Sequence, residues 1–207
     1  MNIKKFSLPS LNLAEKKEII RVAVTLFLIV GITALLLATV NELTHKKIDE
    51  NMNAKIELAM REVFPAENYV ATDRSFDEES GILALYEARG EEDAVLGYCV
   101  QATASGFGGA VEIIVGVDKE GRVTKTRIVS MSETPGVGTQ TNSDDFLSRF
   151  EGKSGVLTVT KGDVKKDTEI AAVSGATVSS KAVTAGVNAA VSAVSQVINS
   201  STQEGQV

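Results

Sequence analysis

A run of nineteen uncharged residues, Val22 to Val40, constrains this chain more than any other feature. In a helix of about 1.5 Å per residue it spans roughly 28 Å, close to the ~30 Å hydrocarbon core of a bilayer. A secretory signal peptide is the alternative, but the run exceeds the usual ~7–15 apolar residues of such a signal, and no small-x-small cleavage motif follows it. The sequence therefore predicts a retained single-span membrane anchor over residues 22–40.

The basic residues are divided unevenly between the two flanks of this run. Those before it are Lys4, Lys5, Lys16, Lys17 and Arg21, and those just after it are Lys46 and Lys47. The more basic flank of a span tends to stay in the cytoplasm. We therefore expect residues 1–21 to form a cytoplasmic N-terminus, and the rest of the chain to lie outside the cytoplasm at the cell (inner) membrane.

Charge and the rare residue types exclude several classes of function. Residues 1–47 carry a net charge of +4 and the remainder −10, which makes the C-terminal part a poor nucleic-acid binder. The chain has one cysteine, Cys99, and one histidine, His45. It therefore cannot form an internal disulfide or a metal cluster held by several thiolates. We expect no metal site and no catalytic residues on the chain itself, so a cofactor must bring the chemistry.

An amphipathic connecting helix is predicted to follow the anchor, in residues 41–65. Its apolar residues recur at spacings of three or four, and Pro65 stops the pattern. These residues are Ile48, Met52, Ile56, Met60 and Val63. We interpret the helix as the connection between the membrane and a globular domain; packing on a partner protein is the alternative.

Residues 66–199 are predicted to form one compact α+β domain with an antiparallel sheet, followed by a flexible tail at 200–207. Short runs rich in β-branched residues predict strands at 82–88, 95–104, 111–117, 122–131 and 156–160. Asp118 to Gly121 has the composition of a hairpin connection. A short helix is expected at 143–150, capped by Asn142 or Ser143.

A long terminal helix is predicted for residues 178–198. One of its stripes is apolar, formed by Val183, Val187, Val191, Val194 and Ile198. A neighbouring stripe contains only small residues, Ala182, Gly186, Ala189 and Ala193. The small stripe predicts a close approach to another element. Polar residues such as Lys181 and Asn188 argue against a second membrane span.

The segment where the loop becomes this helix is the most informative part of the sequence. It reads Ser174-Gly175-Ala176-Thr177-Val178-Ser179-Ser180. The first N–H groups of a helix have no internal acceptor and lie at the positive end of its dipole, which favours phosphate. Thr177 offers a hydroxyl where a phosphate would lie, and Gly175 allows the backbone to bend. The alternative is that the segment is an ordinary helix cap.

A second segment, Ser132-Glu133-Thr134-Pro135-Gly136-Val137-Gly138, predicts a tight turn. Pro135 presets φ for the second position of a turn, and Gly136 allows the positive φ that a type II turn needs at its third position. Considered alone, such a turn is structural.

Together these segments resemble a known family. SGATVSS ahead of a Val/Ala-rich helix resembles the flavinylation motif of the FMN-binding domain in the G subunit of the Rnf ion-translocating complex, which the C subunit of the sodium-translocating NADH:quinone reductase shares. Residues 132–138 resemble the family's E-T-P-G-hydrophobic-G loop, and residues 106–109, GFGG, its glycine-rich turn. The order of the parts agrees over nearly the whole chain, and residues 65–95 are the least diagnostic. A departure occurs at Ala171, where members often carry an acidic residue; Glu169 is the nearest carboxylate.

The resemblance implies a covalent cofactor. In this family a flavin transferase attaches FMN, taken from FAD, to the threonine hydroxyl through a phosphoester, and the matching residue is Thr177. The same motif supplies further cofactor-binding residues, namely Ser174, Gly175, Ala176, Val178, Ser179 and Ser180. From the turn, Glu133 and Thr134 are expected to hydrogen-bond the flavin ring, while Pro135, Gly136 and Gly138 let backbone amides approach it. Phe107 could cover the flavin, face a partner or belong to the core, and we favour the core.

The resemblance further implies an electron-transfer subunit of an Rnf-type ferredoxin:NAD oxidoreductase complex, with other membrane subunits of that complex and the flavin transferase as partners. The compact C-terminal domain favours the Rnf G subunit over the C subunit of the quinone reductase. A flavin-binding sensor or free-standing reductase would be expected to carry extra domains. A non-redox anchored binding module, in which Thr177 is only a cap, is the remaining alternative.

Overall fold

The computed structural model describes the backbone of residues 13–204 and the side chains of residues 16–77 and 79–200. The chain divides into two compact units, Met1–Asn51 and Met52–Val207. Residues 1–12 of the predicted cytoplasmic segment and residues 205–207 of the predicted tail lie outside the described residues.

The described part of the first unit is helical. Helix α1 runs over Leu13–Val63, so the predicted anchor and connecting helix belong to one element. Every side chain in residues 16–51 is exposed, including large apolar ones such as Phe27 and Leu37. The segment is long and apolar enough to cross a membrane. The predicted N-terminal apolar helix is confirmed.

The second unit contains a five-stranded antiparallel sheet with strands in sequence order. The strands are β1 (Asn68–Ala71), β2 (Ile82–Arg89), β3 (Val95–Ser105), β4 (Ala110–Asp118) and β5 (Val123–Met131). The hairpin at 118–121 is confirmed by the hydrogen bond from Asp118 N to Arg122 O at 2.9 Å and by Gly121, whose φ is +76°. The sheet edge strand β1 was not predicted, since its four residues carry little apolar pattern.

Strand β4, which pairs with β3 and β5, is buried on both faces, and the alternation of its side chains separates two cores. Val111, Ile113, Val115 and Val117 join the core shared with helix α3 (Thr177–Glu204). Ile114 points to the opposite face and packs with the end of α1 through Ile56, Met60 and Val63. The predicted apolar stripe of the connecting helix therefore packs on the domain of its own chain from Met52 onward, while Ile48 is exposed.

The small elements around the sheet fix the segments that matter for the site. Helix α2 (Asp144–Leu147) begins after Ser143, whose hydroxyl accepts a hydrogen bond from Phe146 N, as the sequence predicts. Strands β6 (Thr158–Thr160) and β7 (Glu169–Ala171) form a separate parallel pair, and β7 was not predicted. Helix α3 continues to Glu204, beyond the predicted end at residue 198. The fold class is α+β, as predicted.

Candidate functional site

Three loops meet around a cavity of about 370 Å³. They are the turn between β3 and β4 at residues 106–109, the loop after β5 at residues 132–138, and the segment at 173–180 that begins α3. Ten residues line the cavity: Phe107, Glu133, Thr134, Val137, Gly138, Gly175, Ala176, Thr177, Val178 and Ser179. Two motifs about forty residues apart in the sequence therefore form one site. The volume lies in the range of cofactor pockets, roughly 300–1,000 Å³.

Thr177 is the first residue of α3, and its hydroxyl does not cap the helix. The first hydrogen bond of the helix runs from Ser180 N to Ala176 O at 2.9 Å, so Ala176 occupies the cap position. The N–H groups of Thr177, Val178 and Ser179 consequently have no acceptor within the helix. This geometry argues against the ordinary-cap interpretation of Thr177.

Three hydroxyl-bearing residues line the cavity: Thr134, Thr177 and Ser179. Across the described ranges, 16–77 and 79–200, none of the three hydroxyls has an internal hydrogen-bond partner. Ser179 is only 2% exposed as a whole residue, yet its hydroxyl is not among the fully buried unpaired side-chain atoms of the described residues, so it is accessible from the cavity that it lines. Together with the helix N–H groups, these hydroxyls form a set of donors suited to phosphate.

The walls of the cavity are apolar. Phe107 is 74% exposed, Val178 is 49% exposed and Val137 is 44% exposed, although all three line the site. The expectation that Phe107 belongs to the core is therefore wrong. Its position between glycines, at the tip of a hairpin, puts its side chain beyond the reach of the sheet's core. A flat, partly apolar ligand with a phosphate at one end fits this combination of walls and donors.

The turn predicted at residues 134–137 is confirmed. Val137 N donates to Thr134 O at 3.2 Å, and Gly136 has a φ of +77°. Pro135 and Gly136 do not line the cavity themselves; they place Val137 there. A Cβ at Gly136 would meet no atom of the chain within 4 Å, so within the chain itself it is the positive φ of the turn that favours glycine here.

Further predicted site residues lie in the segment that leads into α3. The Ser180 hydroxyl is buried, accepts from Val173 N at 3.0 Å and donates to Ala176 O at 2.9 Å, which holds the loop ahead of α3. Ser174 is exposed and outside the cavity lining. Gly175 has a φ of +79°, which lets the chain turn into the helix. Glu169 Oε2 accepts from Lys165 N at 2.7 Å, so that carboxylate is engaged within its own loop.

Glu133 bonds a neighbouring loop through its carboxylate. It lines the cavity but is only 8% exposed. Its carboxylate accepts hydrogen bonds from Phe107 N at 2.8 Å and Gly108 N at 3.4 Å. Gly138 is also buried, and a Cβ there would come within 2.5 Å of Glu133 Oε2. Gly138 therefore makes room for the Glu133 carboxylate.

Comparison with known proteins agrees with this site. A family model described as FMN-binding domain matches residues 106–192, which include all three loops, and one described as RnfG N-terminal region matches residues 10–63. The G subunit of the Na(+)-translocating ferredoxin:NAD(+) oxidoreductase complex of Acetobacterium woodii is 32% identical over 188 residues, covering 83% of this chain and 89% of that protein.

The G subunit of the proton-translocating ferredoxin:NAD(+) oxidoreductase complex of Clostridium ljungdahlii is 40% identical over 120 residues, 58% of this chain and 64% of that protein. The crystal structure of Shewanella oneidensis NqrC is 18% identical, with a TM-score of 0.47 over 57% of this chain and 62% of that one. The chain contains an FMN-binding domain and belongs to the RnfG family, the G subunits of ion-translocating oxidoreductase complexes.

Proposed function

We propose that this chain is a membrane-anchored electron-transfer subunit that holds FMN in the cavity, covalently linked through its phosphate to Thr177 Oγ1. The observation that carries the proposal is the position of that hydroxyl. It belongs to the first residue of α3, lines the cavity and has no internal partner among the described side chains, beside N–H groups that also lack acceptors. A phosphate ester at Oγ1 would lie where those donors stabilise its charge.

The linkage is a phosphoryl transfer from FAD. The Thr177 Oγ1–P bond forms, the P–O bond to the AMP moiety breaks, and the hydroxyl proton is released. A flavin transferase supplies this chemistry. The chain's own contribution is the accessible Thr177 hydroxyl at a helix N-terminus. Ser179 and Ser180 lie further into the helix, and these residues are only 2% and 0% exposed.

When bound, the flavin supplies one- and two-electron redox chemistry, which the side chains of this chain cannot. Phe107, Val137 and Val178 would contact its ring and exclude water from it. Thr134 and Ser179 would donate or accept hydrogen bonds at its polar atoms. A tether prevents loss of the cofactor into a compartment with little free flavin and leaves the ring to be tuned by neighbouring dipoles.

We infer that the chain relays electrons within a membrane complex like those of its relatives, which are named as ferredoxin:NAD(+) oxidoreductase subunits. Its partners would be the other membrane subunits of such a complex. The predicted span carries no charged residue between Val22 and Val40, so the chain by itself offers no ion path. The basic N-terminal flank favours a flavin domain outside the cytoplasm.

Mass spectrometry of the protein purified from a flavinylating host tests the linkage. We expect an added mass of about 438 Da, the mass of FMN less one water. Thr177→Ala should abolish the added mass, and Ser179→Ala, which removes a neighbouring hydroxyl from the same cavity, should retain it. An unmodified wild-type chain from such a host, or a modified Thr177→Ala chain, would contradict the proposal.

A further inference from the structure

The Glu133 carboxylate joins two of the three loops of the site. It accepts from the N–H groups of Phe107 and Gly108, which belong to the turn at residues 106–109, while its own backbone belongs to the loop at 132–138. Among the described residues, no other side-chain hydrogen bond joins the turn at 106–109 to the loop at 132–138. The carboxylate therefore acts as a clamp between the β3–β4 turn and the loop that follows β5.

Glycines on both sides of the clamp leave space for it. A Cβ at Gly106 would overlap Glu133 Oε1, and a Cβ at Gly138 would lie 2.5 Å from Oε2 and 2.8 Å from the Glu133 Cβ. Contacts this short exclude any side chain at either position without displacement of the carboxylate. The two glycine motifs therefore make room for a single carboxylate, which the sequence spacing does not reveal.

The clamp holds the backbone of a residue whose aromatic side chain is exposed at the hairpin tip. Phe107 is 74% exposed at the tip of the turn, yet its N–H is bonded to a carboxylate that is 8% exposed. Its ring lies on the cavity lining with Val137 and Val178. Aromatic side chains contribute large contact areas and pack against other flat rings, so a ring beside a flavin cavity has a natural ligand.

We propose that Glu133 is a positioning residue that holds Phe107 over one face of the flavin ring, and does not itself bind the ring. This inference rests on the proposed function, since it needs the flavin in this cavity. The carboxylate contributes by restricting the turn at 106–109, and the Phe107 ring contributes by keeping water off the flavin.

Amide hydrogen exchange in the unflavinylated Thr177→Ala chain tests the clamp alone. Glu133→Gln leaves one acceptor oxygen where the structure uses two, so exchange at one or both of the Phe107 and Gly108 amides should rise about tenfold. Glu120→Gln is the matched control, because Glu120 is exposed in the hairpin at 118–121 and its side chain makes no hydrogen bond within the described residues. Unchanged exchange in Glu133→Gln would overturn the clamp.

Iodide quenching of flavin fluorescence in the full flavinylated chain tests the position of Phe107. Phe107→Ala should raise the quenching constant about twofold, since it uncovers one of two ring faces. Glu133→Gln should raise it similarly, and the double variant should rise no further than either single one. A purely structural role for Glu133 would lower thermal stability without changing iodide access, and that result would overturn the positioning role.

The outcomes separate this inference from the proposed function. An intact added mass on Thr177 with unchanged iodide quenching in Phe107→Ala would overturn the covering of the ring and leave the linkage standing. If Phe107→Ala leaves iodide quenching unchanged and also prevents co-purification with the other membrane subunits, Phe107 faces a partner. That result too would overturn the covering of the flavin ring by Phe107. A wild-type chain without flavin would overturn both the linkage and the covering, while the exchange measurement would still report on the clamp.

Discussion

Cys99 lies between the sheet and the last turns of α1 with no exposed surface. Its Sγ is 3.9 Å from Met60 O, and burial raises the pKa of the thiol from its ordinary 9.0 to about 12. Because the thiolate is the nucleophile, the thiol should be inert at neutral pH. We expect no reaction of the folded chain with a maleimide at pH 8 and complete reaction in denaturant. Labelling of the folded chain at the denatured rate would contradict this.

The same burial makes stability depend on alkaline pH. Between about pH 9 and 12 the unfolded chain releases the Cys99 proton while the folded chain keeps it, so stability is full below pH 9 and falls as pH rises through this window. Burial also raises the pKa of Tyr69 and Tyr98, so these residues too lower the stability as the pH rises. Urea unfolding of wild type and Cys99→Ala at pH 8 and 10.5 should show a smaller alkaline loss in the variant. Equal losses would exclude Cys99 as a contributor.

Asn188 has a structural role that its place in the sequence does not indicate. Its Oδ1 accepts from Leu157 N and its Nδ2 donates to Leu157 O, both at 2.8 Å, which ties the segment before β6 to α3. Asn188→Ala leaves both backbone groups of a buried residue unpaired, which should lower the free energy of unfolding by about 1–3 kcal/mol. Asn188→Asp should also destabilise, since a carboxylate cannot donate to Leu157 O. Gln196→Ala, at an exposed position of the same helix, is the control; equal midpoints in urea for all variants would contradict the role.

Residue roles at the site were predictable only in part. Residue type and spacing indicated that the segments at 132–138 and 174–180 belong to a site, because glycine, proline and a helix start have local signatures. They did not show that Glu133 bonds the turn at 106–109, since that contact joins residues twenty-five positions apart through side-chain geometry. The prediction that Phe107 belongs to the core was wrong for a related reason. An aromatic residue next to a predicted strand is usually buried, and the sequence does not show that Phe107 lies at the hairpin tip, beyond the ends of both strands.

At the scale of elements, the small-residue stripe of α3 meets the sheet. Ala182, Gly186 and Ala193 are buried, and a Cβ at Gly186 would lie 2.8 Å from Ile113 Cδ1. Gly186→Val should therefore overpack the contact and lower the free energy of unfolding by about 1–3 kcal/mol, despite the better helix propensity of valine. Ala185→Val, one residue away on the exposed side of the helix, should be close to neutral in the same urea titration. If both variants lost the same free energy of unfolding, the loss would come from valine in the helix and not from its contact with Ile113.

Elements with strong internal patterns were predicted well, and weakly patterned ones were missed. Strands β2 to β5 and helix α3 carry enough β-branched or periodic apolar residues to be found within a few positions. Strands β1 and β7 have four and three residues, and each depends on pairing with another strand that the sequence alone does not reveal. The anchor and the connecting helix, predicted as separate segments, are continuous in α1, because no proline or glycine lies between residues 32 and 64.

For the whole molecule, the division of charge along the chain predicts its orientation. Five Lys or Arg residues precede the span and two follow it closely, so the N-terminus should stay in the cytoplasm and the flavin domain should cross. Two single-cysteine additions test this, Ser7→Cys ahead of the span and Ser154→Cys at an exposed position of the domain. Wild type is a suitable background because the buried Cys99 thiol should not react.

In spheroplasts, a membrane-impermeant maleimide should label Ser154→Cys fully and Ser7→Cys only after lysis. The physical reason is that moving the five basic residues ahead of the span across the membrane is opposed by the membrane potential, whereas the acidic domain faces no such penalty. Labelling of Ser7→Cys in intact spheroplasts, with Ser154→Cys protected, would reverse the orientation. It would place Thr177 and its cavity in the cytoplasm, where free flavin is plentiful and a covalent tether would have no evident advantage over a tight noncovalent site.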